Sequence, residues 1–183
     1  MTPPASPDDH TQRNVDRTVH RLTCPGVVAG AALRAARLSA GINEADLAAA
    51  SGIPEDIIRS WEDGSSSLAD IPIPRVEVLE TTLRDAGADL PLVADLDAAA
   101  WCDLLLAALA DRQDTACLLA DPVASTDEFR DLLAWAAGGL VPARYRPYAA
   151  SRQLLTDATI IQRVTHLLDA MPAQFSAARG SAV

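Results

Sequence analysis

The chain of 183 residues predicts an all-α protein, with an N-terminal helical domain followed by a helical C-terminal domain. Three observations carry that expectation. No segment alternates apolar and polar residues with the period of two that a half-buried strand requires. Alanine dominates the 49% hydrophobic share and only seven residues are aromatic, so the chain favours helices around a thin core. Glycine, asparagine and serine or threonine fall where helices stop and start. There is no internal repeat.

The elements are taken in chain order. Residues 1–27 form an N-terminal arm: a partly disordered lead rich in proline and aspartate, then a polar stretch with Arg13, Arg17 and Arg21 at a spacing of four, on one helical face. Cys24-Pro25-Gly26 breaks the chain. A first helix is expected over 28–40, stopped by Gly41. Asn43 is a good N-cap for a second over 44–51, which Gly52 ends. A third begins at Pro54, a favoured first-turn residue, and ends before Gly64. Residues 65–74 read as a serine- and proline-rich loop. A fourth helix, 75–86, places Val76, Leu79 and Leu83 on one stripe. From 91 to 172 a C-terminal domain for dimerisation or sensing is expected. It starts with an alanine- and leucine-rich helical stretch over 97–119, interrupted near Gln113. Ser125-Thr-Asp-Glu128 reads as a capping box that opens a helix through 137, with Gly138-Gly139 as the stop. A loop through Arg144, Tyr145, Arg146 and Tyr148 leads to a last helix over 156–170. Residues 173–183 form a small, polar, flexible tail.

The formal charge of −10 excludes a protein coated in basic surface. No apolar run reaches the 18 residues of a membrane span, and the best, 98–110, is interrupted by Asp103. Neither a signal peptide nor membrane association is expected, and with that a cytoplasmic protein is expected. The three cysteines, Cys24, Cys102 and Cys117, read as free thiols, the last two buried. All fifteen basic residues are arginine, which with the alanine load points to a GC-rich bacterial gene.

Residues 41–64 carry the functional information: Gly41-Ile-Asn-Glu-Ala-Asp-Leu-Ala48, Ser51-Gly-Ile53, Ile58 and Trp61-Glu-Asp-Gly64. Two short helices joined by a tight glycine turn cross steeply. Small Ala48 allows their approach, and Leu47, Ile53, Ile58 and Trp61 seal the angle between them. On these residues the stretch resembles the Cro/CI-type (XRE) helix-turn-helix family, without a gap from Arg37 to Gly64 and loosely over 28–90. The resemblance implies a five-helix N-terminal domain, double-stranded DNA as the partner, and a transcriptional regulator that acts as a homodimer. It also implies that Arg37 and Glu62 form a buried ion pair with a structural role. Glu44 stands where the family commonly has a phosphate-binding glutamine. Glu55, Asp56 and Ile57 stand at the early recognition-helix positions that reach bases, followed by Arg59 and Ser60.

The charges pull the other way. Over residues 28–90, five arginines meet eleven acids, a net of −6, and the loop after the third helix is Ser65-Ser66-Ser67. DNA affinity comes largely from neutralising phosphates, so carboxylates aimed at the backbone oppose it. A second reading is therefore open: a helix-turn-helix scaffold used for protein–protein interaction, its acidic third helix meeting a basic partner. Arg34 and the Arg13, Arg17 and Arg21 stripe are candidate phosphate contacts, against the plainer reading of a solvated face. The interleaved Arg144, Tyr145, Arg146 and Tyr148 could grip an anion or stack on a planar ligand, against the plainer reading of packing. Stripes around Trp101, Leu105 and Leu109 and around Leu132, Leu133 and Trp135 are leucine-rich enough for a partner subunit, and equally for core.

His20 and Cys24 alone have metal-like spacing, and Pro25-Gly26 ends any helix there, so no metal is expected. Asp111, Asp114 and Asp121 read as solvated charges. With no phosphate-binding glycine loop and no nucleophile elbow, neither an enzyme nor a cofactor is expected.

Overall fold

The computed structural model describes residues 26–149 and 153–171, and among them the fold is all-helical, with no strand. The Arg13, Arg17 and Arg21 stripe, the His20–Cys24 pair and the tail after 172 lie outside the described residues. Eight α-helices are present among those described: α1 Val27–Ser39, α2 Glu44–Ser51, α3 Glu55–Glu62, α4 Ile73–Asp85, α5 Leu90–Ala110, α6 Ala116–Leu119, α7 Asp127–Gly138 and α8 Ala158–Ala170.

Helices α1 and α5 form the spine. Both bury small residues, Ala29, Gly30, Ala32 and Ala36 on one and Ala98 and Ala99 on the other, and the two make the most extensive helix contact in the molecule. Gly30 also lets α3 approach, since a Cβ there would lie 2.1 Å from the Trp61 carbonyl oxygen. α3 packs against α1, and α2 packs against α3 and α4, with Leu47, Ile53, Ile58 and Trp61 all buried as the sequence pattern predicts. The buried cluster continues through α7 and α8, where Phe129, Leu132, Leu133, Ile160 and Val164 close the other side of α5. The core therefore runs unbroken past residues 90 and 91, where a domain boundary is expected from sequence.

Local signals explain the ends. Asn43 Oδ1 accepts from Asp46 N at 2.8 Å while Asn43 N donates back to Asp46 Oδ2 at 3.1 Å, a reciprocal cap. Gly52, with φ of 68°, turns the chain from α2 into α3 in the left-handed region that glycine adopts without cost. Pro54 is the residue before α3 rather than its first turn.

Four boundaries differ from the sequence reading, each for a physical reason. The stretch expected as loop over 65–74 contains a 3-10 turn, Leu68–Asp70, whose Leu68 is buried, and α4 starts at Ile73 with Pro74 in its tolerant first turn. The helix expected from Asp97 begins seven residues earlier, at Leu90, because Pro91 falls where a missing N–H costs nothing. It ends at Ala110; the chain turns through Arg112, at φ 56°, before the short α6. Ser125 is not the cap of α7. It closes a 3-10 turn, Pro122–Ser125, and Thr126 Oγ1 accepts from Phe129 N at 3.2 Å instead. The last helix starts at Ala158 behind Asp157, whose carboxylate accepts from Thr159 N and Ile160 N.

Candidate nucleic-acid interface

α3 presents two faces. Ile58 and Trp61 point into the core, while Glu55, Asp56, Ile57 and Arg59 are exposed. Ser60 is half-buried, and its hydroxyl donates to the Ile57 carbonyl at 2.8 Å, within its own helix. Arg34 on α1 is exposed and has no ionic partner among the described residues.

A line of alternating charges runs from the core to this face. Arg37, 6% exposed, donates from Nε to Glu62 Oε1 at 2.6 Å and from Nη2 to Glu62 Oε2 at 2.7 Å, a two-pronged pair. Its Nη1 satisfies the Ile42 carbonyl at 2.9 Å. Arg37 and Glu62 thus join α1 to the end of α3. Glu44 stands between the two arginines, its Oε1 at 3.7 Å from Arg37 Nη2 and its Oε2 accepting from Arg59 Nε at 3.1 Å. Arg59 then donates from Nη2 to Glu55 Oε1, one helical turn back. The hydrogen bond to Glu62 raises the Arg37 pKa, outweighing its burial; the hydrogen bond and charge of Glu44 do the same for Arg59.

This arrangement bears directly on DNA. Arg59 is the exposed cation of α3, and both its neighbours are carboxylates. A phosphate approaching Arg59 meets Glu44 and Glu55 already on its Nε and Nη2. Asp56 adds a further exposed acid. The serine loop does not compensate: Ser66 N and Ser65 Oγ both donate to the Ser60 carbonyl, Ser65 N donates to Asp63, and the buried Ser67 caps the 3-10 turn.

The second candidate loop is built into the interior. Tyr145 is fully buried; its hydroxyl donates to Asp95 Oδ2 at 2.9 Å, and Arg144 Nε donates to the same oxygen. The guanidinium lies 5.5 Å from the Tyr145 ring centroid, and that ring packs at 4.9 Å on Trp135. Burial and the Asp95 charge raise the Tyr145 pKa. Burial works against the Arg144 cation, but Asp95 more than offsets it and the pKa rises. Packing thus engages the Tyr145 hydroxyl and Arg144 Nε with Asp95, while Arg144 Nη1 lies 3.5 Å from Asp131 Oδ2 and its buried Nη2 has no hydrogen-bond partner among the described residues. Arg146 is exposed and Tyr148 half-buried.

Two acids that sequence reasoning left without a role hold the architecture. One is Asp95. The other is Asp103, 1% exposed on α5, which accepts from Val28 N at 2.9 Å and Ala29 N at 2.8 Å. α1 has no side-chain cap of its own at Gly26, so a carboxylate 75 residues away supplies it. Burial pushes the Asp103 pKa up to about 8, against the two backbone N–H groups that lower it. The available signal was an acid inside an apolar helical run, since an acid buried there requires a partner.

Cys102 is buried as expected, and burial raises its thiol pKa; Cys117 is exposed, which corrects its reading as buried. Leu105, Leu132, Leu133 and Trp135 lie in the chain's own core. Among the described residues, no group of three His, Cys, Asp or Glu side chains is placed to hold a metal ion, and no helix is long and apolar enough to cross a membrane. The chain matches no family model, no curated protein and no solved structure.

Proposed function

We propose that the protein is a sequence-specific DNA-binding transcriptional regulator that presents α3 to the major groove. The observation that supports this most is the mounting of α3. Ile58, Trp61 and the Arg37–Glu62 pair fix its inner side, while residues 55, 56, 57 and 59 stand exposed among the described residues. In this reading Arg59, released from its carboxylates, and Arg34 meet phosphates. Glu55 and Asp56 restrict the bases accepted, since a carboxylate can accept from cytosine N4 and repels other contacts. A two-fold dimer would read half-sites about one helical turn apart. Of the leucine-rich stripes, Leu105, Leu132, Leu133 and Trp135 are taken up by the core, while Trp101 and Leu109 are half-buried.

A genomic-fragment pull-down with folded protein at low and moderate salt tests this. Discrete fragments, enriched at low salt and lost as salt rises, are the expected result. No enrichment at low salt overturns it.

One observation favours a second reading. The pairing of Arg59 with both Glu44 and Glu55 leaves an acidic face that suits a basic protein partner. Replacing Glu55 and Asp56 by lysine separates the two. A DNA binder gains non-specific affinity, while an interaction module loses its partner.

A further inference from the structure

Away from α3, the 3-10 turn at Leu68–Asp70 and α4 stand apart from α5 around a half-enclosed cavity of about 350 Å³. That volume lies at the lower end of the range for small-molecule sites. Leu79 and Leu96, both buried, contribute to its lining. Trp101 forms a wall, and its indole N–H is tied to the Leu118 carbonyl at 3.0 Å, which holds the ring in place. Ile73 and Leu104, at the surface, complete an apolar lining that water satisfies poorly.

The polar part of the lining has one sign. Two carboxylates, Asp97 and Asp121, border the cavity, and no basic side chain among the described residues does. Asp121 is engaged, accepting from Val123 N at 2.9 Å. Asp97 is exposed and has no hydrogen-bond or ionic partner among the described residues. An apolar body with a positive head is the ligand chemistry complementary to this lining.

We propose that this cavity binds a small apolar molecule carrying one amine, its hydrocarbon body against Leu96 and Trp101 and its ammonium at Asp97. The proposal goes beyond DNA binding and is tested without nucleic acid. Full-length protein is titrated calorimetrically with 4-phenylbutylamine, 4-phenylbutanol and 4-phenylbutyrate, three probes of nearly equal shape that differ in charge. The amine is expected to bind severalfold more tightly than the alcohol, and the carboxylate more weakly than either. Asp97→Asn is expected to bring the amine down to the alcohol's affinity and leave the alcohol unchanged. Ala100→Phe, which fills the cavity, is expected to abolish both. Should that variant fail to fold, acrylamide quenching of the wild type serves instead, because Trp101 is half-buried while Trp61 and Trp135 are buried; the bound amine is expected to shield Trp101. Equal affinity for the three probes, no binding of the amine up to its solubility, or amine binding untouched by Asp97→Asn overturns the proposal. So does a dimer in sedimentation that Ile73→Asp breaks while no probe binds, which would assign the groove to a second copy.

Discussion

The outward face of α2 and α3 and the inner side of α5 are built from the same materials, carboxylates facing arginines or backbone N–H groups, and they do opposite things. On α5, Asp95 and Asp103 are nearly inaccessible, and each gathers its donors from distant parts of the chain. On the outward face, Glu44, Glu55 and Arg59 pair with one another in reach of water. A buried polar group cannot exchange its partner for solvent, so its geometry is fixed and losing it is costly. An exposed pair exchanges freely and contributes little to stability. The inner carboxyl groups hold helices together, and the outer charges remain available to a partner.

Asp103 gives the largest effect that could break this contrast. Its folded pKa of about 8 lies above the ordinary carboxylate value of 3.8, so the folded state binds the extra proton. Its contribution to stability is full below pH 4 and is lost as pH rises through about 8, by at most about 1.4 kcal/mol per pH unit. Asp103→Asn, which cannot ionise, is expected to remove that slope in urea denaturation followed across pH. A slope unchanged by the substitution would show that Asp103 is ionised in the folded protein and that its two N–H donors outweigh its burial.

Glu62→Ala comes next. It leaves the Arg37 guanidinium buried beside Glu44 alone, at 3.7 Å, and is expected to destabilise by about 3 kcal/mol. The double variant Arg37→Met with Glu62→Leu is expected to recover much of that loss, because no uncompensated charge remains. A single-variant cost below about 1 kcal/mol, in the range of exposed pairs, would erase the distinction between the inner and outer ends of the charge line.

Tyr145→Phe sharpens the comparison within the interior. It removes one of the two donors to Asp95 Oδ2 while Arg144 keeps the other, so about 1.5 kcal/mol is expected. Thermal unfolding with the far-ultraviolet spectrum unchanged is the measurement. A neutral result would mean that the ring's packing on Trp135, not its hydroxyl, accounts for the burial of Tyr145.

Sequence shows the outer region far better than the inner one, because its signals are local. Asn43 with Asp46, Gly52, and the spacing of Leu47, Ile53, Ile58 and Trp61 lie within twenty residues and specify α2, α3 and their turn. Arg37 and Glu62 are legible through a resemblance, not through chemistry, since nothing in their spacing of 25 pairs them. The inner region depends on partners 49 to 75 residues apart, which no local period encodes. Asp103 is visible in sequence only as an interruption of an apolar run, and Arg144 with Tyr145 only as a cluster without its acid. The start of α5 escapes a local reading because Leu90 and Pro91 have the character of a loop, and it is the packing of α1 along α5 that rewards a longer helix.

The smallest stability effect carries the most information about function. Glu44→Gln removes a charge whose partners, Arg37 and Arg59, retain Glu62 and Glu55, so stability is expected to change by no more than about 0.5 kcal/mol. It also halves the carboxylate hold on the exposed Arg59. If α3 meets DNA, Arg59 is then freer to take a phosphate, and one added phosphate contact steepens the dependence of log affinity on log salt by about 0.9. Arg59→Ala in the same background is expected to return the slope to its wild-type value, which assigns the gain to that guanidinium rather than to the lost negative charge. A slope that steepens equally with and without Arg59 would mean that Glu44 acts only by repulsion. A protein whose DNA affinity ignores both substitutions would not be using this face for DNA, and the acidic surface would belong to a protein partner.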